Sequence, residues 1–322
     1  MTLAACLVVF GALAAWLLPR VLVKHTAAGH SPRLAVGVWL LAVLSVLLTG
    51  AAAAAIILAE ALALAENRAM VSQACFPAWA PGEVHWEFVD TVIAALVTAA
   101  LVPVLLVLTW RAARVFRVTS RARRKLTRAV RLIGRPAPHL GSGTLIVDSV
   151  ERAAYCLSGR GMIGRSGTVV VTTATLSSLH RDELAAVIAH EQAHLTGRHH
   201  VLLGFLAAIR RAAPGVPLFG EAEREVARLL EMCADDAARR RHGGTSLVTA
   251  LLAMSSAPAP LVALGAGGPA VLLRARRLLV PPTTPQVLRA RLALVGISVS
   301  GALTVAGALL LMVPEACAVA LA

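Results

Sequence analysis

Four uncharged apolar stretches constrain this fold most, because each is long enough to cross a bilayer, which takes about 20 such residues. They run from Met1 to Pro19, Leu34 to Ala59, Thr91 to Trp110 and Leu292 to Pro314. Backbone groups in lipid must bond to one another, so each stretch reads as a helix. The composition agrees: 58% of residues are hydrophobic and 15% charged, against roughly 45–50% and 25% in soluble domains. A chain this apolar is not disordered. The first stretch lacks a basic leader and a clear small-residue cleavage site, so it reads as a retained helix rather than a signal peptide. A fifth uncharged run, Leu247 to Leu273, is broken by Pro258, Pro260, Gly265, Gly267, Gly268 and Pro269. Breakers at that density exclude a span and predict a helix followed by a loop outside the membrane.

Basic residues flanking the spans set the orientation. Arg20, Lys24 and Arg33 lie between spans one and two, whereas Glu66, Glu83, Glu87 and Asp90 dominate the next loop. After span three, Arg111 to Arg135 carry a long basic run without an acid. Residues 113–285 are therefore expected in the cytoplasm, as one domain. Residues 1–112 supply the first three spans, and residues 286–322 the fourth span and a short tail. Both termini are then external. The net charge of +14 is concentrated in that basic run. It suits anionic membrane lipid, and no aromatic platform or motif points to nucleic acid. Of the five cysteines, Cys75 and Cys317 fall on the external side, where a bridge between them is permitted.

The cytoplasmic segment opens with β-prone runs at Thr144–Val147, Ala153–Leu157 and Thr168–Thr173, separated by glycines. The period then becomes helical, with Leu184, Val187, Ile188 and Leu195 on one face, Asp182 and Glu183 in the first turn and Gly197 at the stop. Within that helix stands His190-Glu191-Gln192-Ala193-His194. Histidines four apart share a helix face and can hold one metal ion. Glu191, next to the first, can serve as general base toward a water on that metal.

A catalytic zinc needs a third protein ligand and an open position. A second helical run, Glu221 to Arg240, carries Glu231 and Asp235, again four apart. Glu231 is the candidate ligand. Asp235 is placed to accept the spare ring N–H of a zinc histidine. His200 is a rival third ligand, six residues after His194, with Gly197 between as in metzincins. Cys233 points away from the carboxylate face and reads as packing.

Glu183 to His200, with the sequence ELAAVIAHEQAHLTGRHH, resembles the zinc helix of integral-membrane metallopeptidases of the BlaR/MecR type and of the related HtpX-like and CAAX-prenyl-type peptidases. Leu230 to Ala238, LEMCADDAA, resembles their second motif, and Tyr155–Gly159 with Val169–Thr173 resemble the strands before the zinc helix. The layout of three spans, peptidase and fourth span is also similar to that type. The resemblance implies one zinc per chain on His190, His194 and Glu231, with Glu191 as base. BlaR/MecR sensors continue into an external domain acylated by β-lactams on a Ser-x-x-Lys serine. Here the two lysines are preceded at minus three by Val21 and Ala122, so direct covalent β-lactam binding is excluded.

The expected architecture is therefore mainly α: four membrane helices and a cytoplasmic α+β zincin-like (gluzincin) domain with a small sheet. The expected activity is zinc-dependent cleavage of protein substrates at the cytoplasmic face, as a regulatory protease acting on a repressor or membrane protein. The substrate is expected to add as a strand beside the edge formed by Val169, Val170, Val171 and Thr172. His199, His200, Arg239 and Tyr155 are the candidates for the oxyanion or substrate contact. The alternative is an inactive membrane signalling or scaffold protein that retains the zincin fold.

Overall fold

A computed structural model describes residues 2–74, 86–158, 167–255 and 267–310. The chain opens with three long helices, α1 (Thr2–Thr26), α2 (Pro32–Ala74) and α3 (Trp86–Ile133). Cys6–Thr26 of α1 and Pro32–Ala59 of α2 are long and apolar enough to cross a membrane. Among the described residues these are two such stretches, where the sequence predicts four. The expected third span lies in α3, and most of its side chains fall outside the described part. The expected fourth lies in α10 (Thr284–Leu310) and runs past the last described residue. Helix α3 continues without a break from the apolar stretch into the basic run, across the boundary expected at residue 112.

After α3 come β1 (Arg135–Pro136), β2 (Thr144–Val147), β3 (Ala154–Ser158) and β4 (Gly167–Thr172). They form one sheet in the order β1-β2-β4-β3. β2 and β4 run parallel, while β3 pairs antiparallel with β4 from Ala154 opposite Val171 to Ser158 opposite Gly167. β4 is therefore interior, and Val169, Val170 and Val171 are each at most 2% exposed. The expected edge strand of Val169–Thr172 is thus corrected: both its sides are already paired, and among the described residues the outer strands are β1 and β3. A run of consecutive β-branched residues marks a strand covered on both faces, as this one is.

The remaining helices are α4 (Thr173–Ser178), α5 (Arg181–Thr196), α6 (His199–Ala212), α7 (Pro217–His242), α8 (Gly244–Ser255) and α9 (Gly267–Leu279). Gly267, Gly268 and Pro269, expected in a loop, open α9 instead. Proline is tolerated in a first turn, where its missing N–H has no partner to lose. Val169 and Val171 pack with Leu184, Val187 and Ile188 of α5 on one face of the sheet. Val170 and Leu157 meet Val130 of α3 on the other. The largest core joins Leu22 and Trp39 of α1 and α2 to Leu206 of α6 and to Leu218, Val226 and Leu229 of α7. Cys75 and Cys317 lie outside the described residues, so the bridge expected between them does too. Cys6, Cys156 and Cys233 are free.

Candidate metal centre

Helix α5 starts where the sequence places it. The backbone N–H of His180 donates to the Glu183 carboxylate at 2.8 Å, the reciprocal half of a capping box. The helix then carries His190 and His194 on the face turned to α7. Helix α7 enters on Pro217, and its buried row Val226, Leu229, Leu230 and Met232 fixes the rotation that presents Glu231.

The three side chains converge. His190 Nε2 lies 3.1 Å from His194 Nε2 and 3.5 Å from Glu231 Oε2, while His194 Nε2 lies 3.4 Å from Glu231 Oε1. Ligand atoms bound at about 2.0–2.1 Å around a tetrahedral ion stand about 3.3 Å apart. The triad has that spacing, so His190, His194 and Glu231 could hold a metal ion. His200, the rival third ligand, is not in this group. It sits beside Arg123, which donates to its carbonyl at 2.8 Å.

The residues around the triad fix its charge. Asp235 Oδ1 lies 3.1 Å from His190 Nδ1, an atom with no aligned hydrogen bond otherwise. That is the position of a carboxylate orienting a metal-bound imidazole. Asp235 is 1% exposed, and Arg274 of α9 donates to both its oxygens, at 2.8 and 2.7 Å. The same guanidinium reaches Glu231 Oε2 at 3.2 Å. Burial opposes ionisation of Asp235, but the Arg274 hydrogen bonds hold its carboxyl below the usual range. Burial also works against charge on His190, yet its contacts to Asp235 and Glu231 raise it to about 9. Without metal, the raised His190 and the lowered Glu231 therefore favour an imidazolium–carboxylate pair within the triad. Burial lowers His194, which stays neutral as a ligand must. Glu191 is pushed up to about 7 by burial, against the lowering effect of His190.

Two contributors were not found from sequence. Arg274 lies just past the run expected to end in a loop, and it, rather than Arg239 four residues on along α7, supplies the cation for the buried Asp235. Cys156 of β3 reaches Glu191, and burial, then that carboxylate, push its thiol up to about 12. His199 takes a different place from the one expected. Its Nδ1 lies 2.8 Å from Nδ1 of His194, so it holds the back of a triad imidazole rather than facing an open position. Arg198, with φ +52, turns the chain between α5 and α6 to bring it there. Tyr155 alternates with Cys156 along β3 and packs with Val130, Leu157 and Val170 on the far face of the sheet. It does not reach the triad. Arg239 lies in the last turn of α7, where its stem packs against Gly244. Neither it nor His200 forms a hydrogen bond or ion pair with the triad.

Two helices thus bring a His-Glu-x-x-His and a glutamate together in a group that could hold a metal ion. Residues 117–251 match the model of Peptidase family M48, a segment that holds the whole sheet, the triad and Glu191. That segment is under half of the chain, and over it the chain is similar to M48-family peptidases. No curated protein and no solved structure matches the chain.

Proposed function

We propose that this chain is a zinc-dependent integral-membrane endopeptidase of the BlaR/MecR type, cutting protein substrates at the cytoplasmic face. The observation that carries this reading is the tetrahedral spacing of the His190, His194 and Glu231 ligand atoms. Those three would hold the zinc, which when bound supplies Lewis acidity toward the scissile carbonyl and the attacking water. Glu191 takes the proton of that water and returns it to the leaving amine. A carboxylate near neutrality suits a group that must both accept and give, and burial puts Glu191 there. Asp235 and His199 orient the two imidazoles from behind. The substrate adds antiparallel or parallel to β3, whose outer edge is unpaired among the described residues. Residues 1–112 and 286–322 serve as anchors, with residues 113–285 as the cytoplasmic domain.

The test is cleavage of casein by the full chain in neutral detergent, with zinc content measured on the same samples. Glu191→Gln should keep about one zinc per chain and lose activity by at least about 10²-fold, the contribution of general base catalysis. His190→Ala/His194→Ala should lose both. Full zinc in that double variant, or undiminished cleavage by Glu191→Gln, overturns the proposal. Zinc without any cleavage by the wild type favours the inactive scaffold.

A further inference from the structure

A cavity of about 490 Å³ lies behind the metal triad, between the first turn of α2 and the ends of α5 and α7. Its walls carry Arg33, Arg240 and Arg241, with Thr196, His199 and Cys233 among the rest, and no carboxylate lines it. We propose that this cavity binds a phosphate-class anion, gripped by Arg33, Arg240 and Arg241.

The arginine pairing pattern supports an external ligand. Carboxylates along α7 are already engaged: Asp235 by Arg274, Asp236 by Arg277 and Glu225 by Arg228. Arg33, Arg240 and Arg241 form no ion pair or hydrogen bond among the described residues, so three exposed arginines line one concavity without a carboxylate partner. Guanidinium forks match phosphate oxygens in pairs, which ammonium groups do not.

The site is also built rather than incidental. Arg33 follows the α1–α2 turn, and that turn is fastened to the helices opposite. Arg228 donates to the carbonyls of Thr26 and Ala27 at 2.9 and 3.1 Å, and Arg277 to that of Gly29 at 3.1 Å. Gly29 itself has φ +61, and a Cβ there would stand 2.3 Å from Met232 Sδ. The wall bearing Arg33 is thus held at a set distance from the wall bearing Arg240 and Arg241. A volume near 490 Å³ exceeds a bare phosphate and admits a phosphodiester with part of its glycerol. His199 is shared with the metal centre, so the bound anion stands one side chain from His194. Arg33 lies outside the segment that matches the M48 model.

The phosphate can be free or belong to a lipid headgroup. The second source rests on the membrane reading proposed above, because Arg33 directly precedes the apolar part of α2; the first does not. The experiment therefore has two arms on the zinc-loaded full chain. One measures thermal midpoint in neutral detergent with sodium phosphate against sodium chloride of equal ionic strength. The other compares nanodiscs of phosphatidylcholine with nanodiscs containing phosphatidylglycerol. Wild type should be stabilised in at least one arm. Arg240→Gln/Arg241→Gln, and separately Arg33→Gln, should weaken the apparent affinity about tenfold or more. Arg124→Gln/Arg128→Gln, on the exposed face of α3, should respond as wild type does. A response in the phosphate arm identifies a free anion, and one confined to the lipid arm identifies the headgroup. No stabilisation in either arm, or equal stabilisation of the pocket and α3 variants, overturns the site while leaving the peptidase proposal untouched.

Discussion

At the residue scale, His190 controls the charge of the metal-free site. Its folded value of about 9 stands above the ordinary 6.5, because the carboxylates of Asp235 and Glu231 outweigh its burial. A raised value stabilises the fold fully below 6.5, and that contribution is lost as pH rises through 9. Metal-free protein should therefore lose thermal stability between those limits, and zinc-loaded protein should lose less. Metal must displace the His190 proton, so zinc binding at pH 7 should release about one proton per chain. Calorimetric titration in buffers of different ionisation enthalpy measures this, and a proton count near zero would mean His190 is neutral. The paired acids on α7 separate a role at the metal from a role in packing. Asp235→Asn should weaken zinc affinity about 10–100-fold. Asp236→Asn removes the partner of Arg277, which also holds Gly29. It should leave zinc affinity unchanged and lower the thermal midpoint by a few degrees.

At the scale of elements, periodicity and turn chemistry made most of this structure readable. The Thr144–Val147 strand is where the β-prone run placed it, and α5 stops at Gly197 as expected. His190, His194 and Glu231 were legible because helix spacing alone puts such pairs on one face. Strand order was not legible, since nothing local to residues 168–173 says whether both neighbours are present. Arg274 was hidden for a related reason: its partner is 39 residues away, and glycine and proline in a first turn look like a loop. The turn between α5 and α6 was legible as a stop but not as a device. A Cβ on Gly197 would stand 2.4 Å from His199 Nε2. Its own φ of −76 suits alanine, although the added Cβ would also stand 3.1 Å from the Ala193 carbonyl oxygen. Gly197→Ala should displace the His199 ring and leave Nδ1 of His194 unpartnered. The expected result is a thermal midpoint near wild type for the metal-free protein and zinc affinity reduced about tenfold or more. Zinc affinity equal to wild type would show that His199 does not steady His194.

At the scale of the whole molecule, the apolar helices and the metal centre share one core. Trp39 of α2 is fully buried, and it packs in the cluster that includes Leu218, Val226 and Leu229 of α7. Glu231 stands on that same helix, two residues past Leu229. Its rotation, and hence the distance from its carboxylate to the two imidazoles, depends on how α7 seats against α1 and α2. Trp16 of α1 is the natural contrast, because it is an equally large side chain at 58% exposure on the outer face. Removing a buried tryptophan costs the transfer of its surface and leaves a cavity, about 3–5 kcal/mol together. Removing an exposed one costs within about 0.5 kcal/mol. Trp39→Ala should therefore lower the thermal midpoint strongly in detergent and release zinc at a lower temperature than wild type. Trp16→Ala should do neither in detergent. Zinc release and unfolding should move together in Trp39→Ala, because the helix that loosens is the one bearing the third ligand. If zinc retention in Trp39→Ala matched wild type while its apolar helices came apart, the triad would be held by α5 and α7 alone. The part of the chain matching the M48 model could then be studied without its first two helices.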